Sequence, residues 1–546
     1  MSRILSRQAA NLIAKALASV LLFSMLFALP PFAPIEAGAA AVSTLQIGTA
    51  EEFMAFAKSV NDGKNYAGST VKLTNDINVS SAGLWTPIGN SSAHPFSGVF
   101  DGQNFTVSGL WIFDRTVAQQ DGVGLFGTIQ GAVIQNLTVV TTTGTNMGVN
   151  SGSAAAAVVG SVIDSAAGQA SVIKNVHATA QITGTIYPIG VLIGKVDLSK
   201  SRSSITIQDC SAAGSVKSEE GGYAGGLVGA VFCKYGEGAA IQISDCKADV
   251  ELNTKGNYTG GFAGLLENTG KSTNALVKNC TAAGSVTGGG LYTGGFAGAI
   301  RDISVKDCTV VSFAVYGKGA YTGGFAGMLD NSSSDFSIEG CVTGEDMHYN
   351  PTSVSGGSGY TGGFVGLARG VAISSSHAGG GAFGKGVYVG GFVGALEQAQ
   401  ISNCYEKGAV VSTGFSVGGF AGLMKASTLE TCFAVGGASS TDTLHDNNTG
   451  GFAGTVNESV MHNCYVSGYV YGEKKDDSTK GAFIGSAAGN TQINDCYYDP
   501  TPVYGMQTIG AGETSLRGAL QTITTTRFLT ATGLGTDVLD AMMVHP

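Results

Sequence analysis

Tyr258-Thr-Gly-Gly-Phe262-Ala-Gly264 is the phrase on which the fold turns. It returns from Tyr292 to Gly298, from Tyr321 to Gly327 and from Tyr360 to Gly366, with variants from Tyr223 to Gly229 and from Tyr388 to Gly394. Later copies keep only the core, as in Gly419-Phe420-Ala-Gly422, Gly451-Phe452-Ala-Gly454 and Ala482-Phe483-Ile-Gly485. Earlier ones are weaker: Gly124-Leu125-Phe-Gly127, Ala157-Val158-Val-Gly160 and Val191-Leu192-Ile-Gly194. The apolar anchor thus falls at 125, 158, 192, 227, 262, 296, 325, 364, 392, 420, 452 and 483, at intervals of 28 to 39 residues. Intervals of this size mark a repeat architecture in which each unit stacks on its neighbours.

A second phrase follows each anchor: an apolar residue, any residue, Asn or Asp, then Cys. It runs from Ile207 to Cys210, Ile243 to Cys246, Val277 to Cys280, Val305 to Cys308, Ile401 to Cys404, Met461 to Cys464 and Ile493 to Cys496. Nine of the ten cysteines share this position, and only Cys233 falls out of register. Leu137, Val176 and Ser376 take the position in other copies. After the anchor, Phe262, Gly264 and Leu266 sit two apart, as do Cys280, Ala282, Gly284 and Val286. Period two means strands with one face buried. Between Val277 and Cys280 the apolar partners are three apart, so parity flips and the chain must bend. Asn or Asp before the Cys suits a left-handed backbone at that bend. The expected fold is all-β, a parallel β-helix or β-solenoid of about twelve coils, with coils about 4.8 Å apart.

Composition agrees. The 546 residues include 84 glycines and only 12% charged residues. Without a G-X-Y period this is not collagen, 43% hydrophobic content argues against disorder, and so many glycines disfavour long helices. The formal net charge is −10. Without Arg3, Arg7, Lys15 and Glu36, which together carry +2, it becomes −12. That disfavours nucleic acid as a partner.

The chain divides into four parts. Arg3, Arg7 and Lys15, an apolar run from Leu17 to Leu29, three prolines and Ala37-Gly38-Ala39 have the layout of a cleaved signal peptide over 1–39. The expected product is secreted or held at the cell surface, with no membrane insertion after cleavage. Residues 40–121 read as an N-terminal cap and a first irregular coil. Thr49 to Glu52 is a capping box, Phe53, Phe56, Ala57 and Val60 have helical spacing, and a strand follows at Val71. Residues 122–498 hold the repeats, and 499–546 read as a C-terminal capping segment.

The Gly-x-x-Gly core, as in Gly226-Leu227-Val228-Gly229, together with the downstream Asn-Cys phrase, resembles the GLUG motif of bacterial secreted and cell-surface proteins. Phe100-Asp-Gly and Val107-Ser-Gly-Leu110 resemble the stretch that often precedes such repeats. The resemblance implies surface binding or display, and carries no catalytic residue onto this chain. In that family the motif accompanies adhesins and the non-catalytic part of some IgA-cleaving metalloproteases.

Catalytic motifs are missing from the sequence. None of the seven histidines is followed by Glu, and no two are four apart, so a His-Glu-x-x-His zinc helix is not formed. No Walker, EF-hand or nucleophile-elbow pattern occurs, and no cofactor or metal is expected. Acids such as Asp101, Asp330 and Asp335 look scattered, with no column holding both carboxylates and Arg or Lys. Glu406 stands where other coils have Ala282, Ala434 or Val466, which predicts a one-residue slip or an outward carboxylate. The cysteines, pointing one way in register, fit disulfide geometry poorly and are expected to form a buried thiol ladder.

The candidate ligand-binding residues are Tyr258, Tyr292, Tyr321 and Tyr360, part of a column that also includes Tyr223 and Tyr388. An exposed aromatic row binds sugar rings or protein; a buried one only stabilises. The neighbouring Thr259, Thr293, Thr322, Thr361 and Thr449 form a partial column, and an exposed threonine face would suggest ice binding. The first functional expectation is therefore an extracellular adhesin-like binding or display module, with a host or matrix protein or a glycan as partner. The alternative is a carbohydrate-active β-helix enzyme, a polysaccharide lyase or hydrolase.

Overall fold

A computed structural model describes residues 43–523, except 115–121, 143–147, 166–167, 185–186, 201, 235–238, 271, 273, 312–313, 332–334, 345–352, 443–446, 473–478, 504–505, 513–515 and 517–518. The proposed signal peptide lies outside the described residues. So do residues 443–446 and 473–478 of two polar loops, 441–448 and 473–480, that the sequence offers as alternative binding loops.

One coil shows how the repeat is built. Its strands are Tyr258–Gly260, Ala263–Glu267, Ala275–Lys278, Thr281–Ala283 and Val286–Gly288. Val277 and Cys280 are both buried, three residues apart. The parity flip between them is made by Asn279, whose φ is 52°. The equivalent Asn136, Asn175, Asp209, Asp245, Asp307, Asn403, Asn463 and Asp495 share this left-handed conformation. Short amide and carboxylate side chains tolerate it best because they bond locally. Some also bond along the rod: Asn279 Nδ2 donates to Asp245 Oδ1 at 3.1 Å, and Asn175 Nδ2 to Asn136 Oδ1 at 2.9 Å.

Each strand pairs in parallel with its counterpart one coil on: Ala263 with Ala297, Val277 with Val305, Tyr258 with Tyr292. All twelve anchors are fully buried. From Phe262 to Phe483 their rings stack at 4.6 to 5.0 Å between centroids, within 14° of parallel. That spacing is the strand-to-strand distance itself. The anchor strands form a thirteen-stranded sheet, from Phe126–Gln130 to Ile509–Gly512. The tyrosine strands form a nine-stranded sheet, Gly122–Val123 and Ala154–Ala155 pair as a small separate one, and the remaining strands form a much larger sheet. The solenoid is thus longer than the sequence phrase. Ile509–Gly512 and Leu520–Thr522 pair with the last repeat coil, and Ile509 is fully buried. Past residue 498, where the repeat phrase ends, two strand positions of the coil are therefore still occupied.

The N-terminal part closes the near end. Helix α1, Ala50–Asn61, has the capping box between Thr49 and Glu52 and buries Phe53, Phe56, Ala57 and Val60. Phe53 lies 5.4 Å from Trp85, Phe56 5.8 Å from Phe96, and Phe96 5.4 Å from Phe126 of the first anchor strand. Strands Thr44–Ile47, Thr70–Leu73, Val99–Asp101 and Val133–Thr141 pair in parallel in that order, so the cap continues the sheet while the helix covers its core.

Candidate functional site

The site begins with the glycine pair. A Cβ on Gly261 would stand 2.1 Å from the carbonyl oxygen of Gly295, so only glycine lets successive coils stack there. The strand breaks at this bend, between Gly260 and Ala263, and parity is not carried through. Phe262 therefore faces the main core while Tyr258 stays outside it.

The tyrosine rings fold over the outward residues of the anchor strands. Ala230, Leu265, Ala299, Met328, Leu367 and Ala395 point away from the core yet are at most 4% exposed, because the six tyrosines cover them. The tyrosines themselves are half-buried. They are neither a free ribbon nor members of the phenylalanine core. From Tyr223 to Tyr321 the rings stack on one another at 4.8 to 5.0 Å and within 19° of parallel. The stack breaks at Tyr360, whose ring stands at 64° to Tyr321 and 39° to Tyr388. Where rings stack along the rod, each face meets its neighbour, and only hydroxyl-bearing edges remain for a ligand. Burial, with neighbouring phenols adding to it, holds Tyr223, Tyr292 and Tyr360 above the usual tyrosine range.

Beside the tyrosines runs a column that the sequence reading missed. Register places Glu267, Arg301, Asp330, Arg369, Glu397 and Lys425 on successive coils, acid and base in strict alternation. Arg301 Nη1 donates to Glu267 Oε2 at 2.8 Å, and Arg369 Nε to Glu397 Oε2 at 2.9 Å. Arg301 also reaches the hydroxyl of Tyr258 at 3.3 Å. The expectation that no column combines carboxylates with Arg or Lys is therefore corrected. Unequal coil lengths hid it, yet the signal was available: each of the six residues lies five positions after its anchor.

Glu406 needs a second correction. Tyr405 pairs with Phe433 and Glu406 with Ala434, so the strand does not slip. The carboxyl points inward and is fully buried. Oε1 accepts the Gly436 N–H at 3.0 Å, while Oε2 has no partner. Glycines make the room: a Cβ on Gly391 or Gly436 would come within 2.7 or 2.8 Å of Oε2. Burial pushes this carboxyl well above the usual range, against opposing bonds from the Gly436, Val435 and Gly408 backbone.

The threonine column is buried too: Thr259, Thr293, Thr322, Thr361 and Thr449 are at most 1% exposed. A threonine ice-binding face is thereby excluded at these positions. The ten cysteines are buried and none is joined in a disulfide. In the nine-membered ladder each Sγ lies 3.0 to 3.4 Å from the carbonyl two residues earlier, closing the corner.

No family model and no curated protein matches this chain. Among solved structures it is similar to a protein described provisionally as an immunoglobulin A1 protease from Bacteroides ovatus, with 16% identity over 67% of this chain and 76% of that one, and a TM-score of 0.27.

Proposed function

We propose that the protein is an extracellular repeat module of the GLUG type that binds or displays through the face shared by the tyrosine stack and the alternating charge column. One observation carries the reading. Over five consecutive coils, from Tyr258 with Glu267 to Tyr388 with Glu397, a half-buried aromatic row and a partly exposed row of both charge signs run side by side. Such composite faces, an apolar stripe edged by charge, are typical of recognition surfaces. Protein is the better fitting partner than glycan. Sugar rings stack on aromatic faces, and between Tyr223 and Tyr321 those faces are occupied by neighbouring tyrosines. Phenol edges, guanidinium and carboxylate instead offer a protein surface hydrogen bonds and charge. Catalysis is less well supported: two of the column's three acids, Glu267 and Glu397, are each tied to an arginine.

A matrix-protein and glycan array probed with the purified protein tests this. Replacing Tyr258, Tyr292, Tyr321 and Tyr360 together by Phe keeps the rings and removes the hydroxyls. Protein binding that falls about tenfold, a loss of about 1.4 kcal/mol, with an unchanged melting temperature supports the reading. Binding indifferent to these changes and to reversal of the charged column would refute this face as the site. Binding confined to glycans would refute the choice of partner class.

A further inference from the structure

The charge column has a symmetry that bears on what it binds. Read along the rod it runs Glu267, Arg301, Asp330, Arg369, Glu397, Lys425. An alternating series of even length becomes its own complement when reversed. Two such columns laid antiparallel therefore place every acid opposite a base, while two laid parallel in register place like on like. A two-fold axis across the rods accomplishes the antiparallel pairing and, from Tyr292 to Tyr388, keeps tyrosine facing tyrosine.

We propose that the occupant of this face is a second copy of the chain, packed antiparallel about a two-fold axis between the coils of Asp330 and Arg369. The inference rests on the reading of this face as a binding surface, and names its partner. Glu267 then meets Lys425 of the second copy, Arg301 meets Glu397, and Asp330 meets Arg369, each pair occurring twice. Both rods have the same coil spacing, so a match at the centre is kept to the ends.

The unpaired charges point the same way. Arg301 is taken by Glu267 and Arg369 by Glu397. Among the described residues, Asp330 and Lys425 are left with no ion pair within their own rod, and the two-fold supplies each with one. The centre also coincides with the break in the ring stack, between Tyr321 and Tyr360. There the turned ring of Tyr360 is opposite Tyr321 of the second copy. The charges set register and orientation more than strength, since exposed pairs are individually weak. Six coils at about 4.8 Å give a strip of roughly 25–30 Å. At about 20 Å wide it covers about 500–600 Å² per copy, the size of a weak and transient pair. Rods displayed on two facing surfaces meet in this antiparallel sense, and many weak pairs add through avidity.

Sedimentation equilibrium of the purified protein tests the proposal, from about 1 to 200 µM and at low and high salt. The expected result is a monomer–dimer equilibrium that weakens about tenfold at high salt, where surface charges are screened. Arg369→Asp should abolish the dimer by setting two acids against each other at the centre. The swap Asp330→Arg with Arg369→Asp should restore it to within about threefold, because the cross-rod pairs are complementary again. Within each rod the same swap puts like charges on adjacent coils, so a merely intramolecular role predicts no rescue. Glu267→Lys with Lys425→Glu asks the same at the ends, should the central swap lower the melting temperature. A monomer at every concentration, a dimer untouched by Arg369→Asp, or two well-folded swaps without rescue would each overturn the inference. If array binding to another protein persists and still depends on the tyrosines, only the choice of a second copy fails. If neither self-association nor array binding is seen, the binding face itself fails.

Discussion

At the scale of single residues the coil is held by side chains that answer for the backbone. Asn279 and its equivalents take the left-handed corner, and where no Asn or Asp is present Gly340, Ser375 and Thr431 stand in, with φ of 63°, 50° and 54°. Ser376 shows what the ladder cysteine does: its Oγ donates to the Ser374 carbonyl at 2.8 Å, the bond each thiol makes more weakly, and accepts the Cys341 N–H at 3.0 Å. Glu406 has no such fit. Its carboxyl is fully buried with one oxygen unpartnered. Because burial raises its folded pKa above the unfolded value, the neutral form favours folding. Its relative stabilising effect is complete below the unfolded value of about 4.3 and is lost as pH rises towards the raised folded one. Glu406→Gln keeps the shape and removes the ionisation. At pH 8 the variant should be more stable than the parent by about 1–3 kcal/mol, and the gap should close near pH 4. Thermal melts across that range check this; an equal gap at both ends would mean that the carboxyl does not ionise on unfolding.

At the scale of elements the ladders do the stacking. Each row repeats one residue type at strand spacing, so a side chain that fits once fits in every coil. The phenylalanine ladder fills the core, the tyrosine ladder seals the outward alanines, leucines and Met328, and the cysteine ladder closes a corner. In the last, every thiol is buried out of reach of disulfide reagents; burial lifts Cys404 to about 12, while hydrogen bonds from Cys210 and Cys280 hold Cys246 down at about 5, so access and not ionisation sets the reactivity. At pH 8 the native protein should consume almost none of such a reagent, and the denatured protein, with no reductant, all ten equivalents of its ten cysteines. Mass spectrometry that finds ladder cysteines joined in disulfides would contradict the one-way register of the ladder.

At the scale of the whole molecule the rod is nearly one-dimensional. A coil touches the coils before and after it, so stability is a sum of coil terms and neighbour terms. Phe325→Ala should cost about 3–5 kcal/mol, the value for a fully buried ring, and proteolysis should begin near that coil. Phe262→Ala and Phe452→Ala, on well-separated coils, should add within about 0.5 kcal/mol, whereas Phe325→Ala and Phe364→Ala, stacked at 4.9 Å, should deviate by more than that. Denaturant titrations of the single and double variants measure both. Full additivity of the stacked pair would mean the phenylalanine ladder carries no coupling.

What the sequence determined by itself was everything that repeats. Period two gave the strands, the shift from two to three gave the corner, and the Asn-Cys phrase named the residue that turns it. These are local or regularly recurring signals, and each coil states them again. The position of the Tyr258, Tyr292, Tyr321 and Tyr360 column was equally legible, but not whether it faced solvent or core. That depended on a Gly260-Gly261 bend whose effect on parity has no local signature, and on Leu265 and its equivalents lying outward to receive the rings. The charge column required unequal coils to be laid in register, and the last coil, Ile509–Gly512 with Leu520–Thr522, carries no phrase to announce it. Glu406 was visible as an oddity in a row of small residues. Only the packed structure decided that Gly391, across the same coil, and Gly436, on the next one, leave room for its carboxyl inside, because space in a solenoid is set by residues across the coil and one coil away and not by those beside it in the chain.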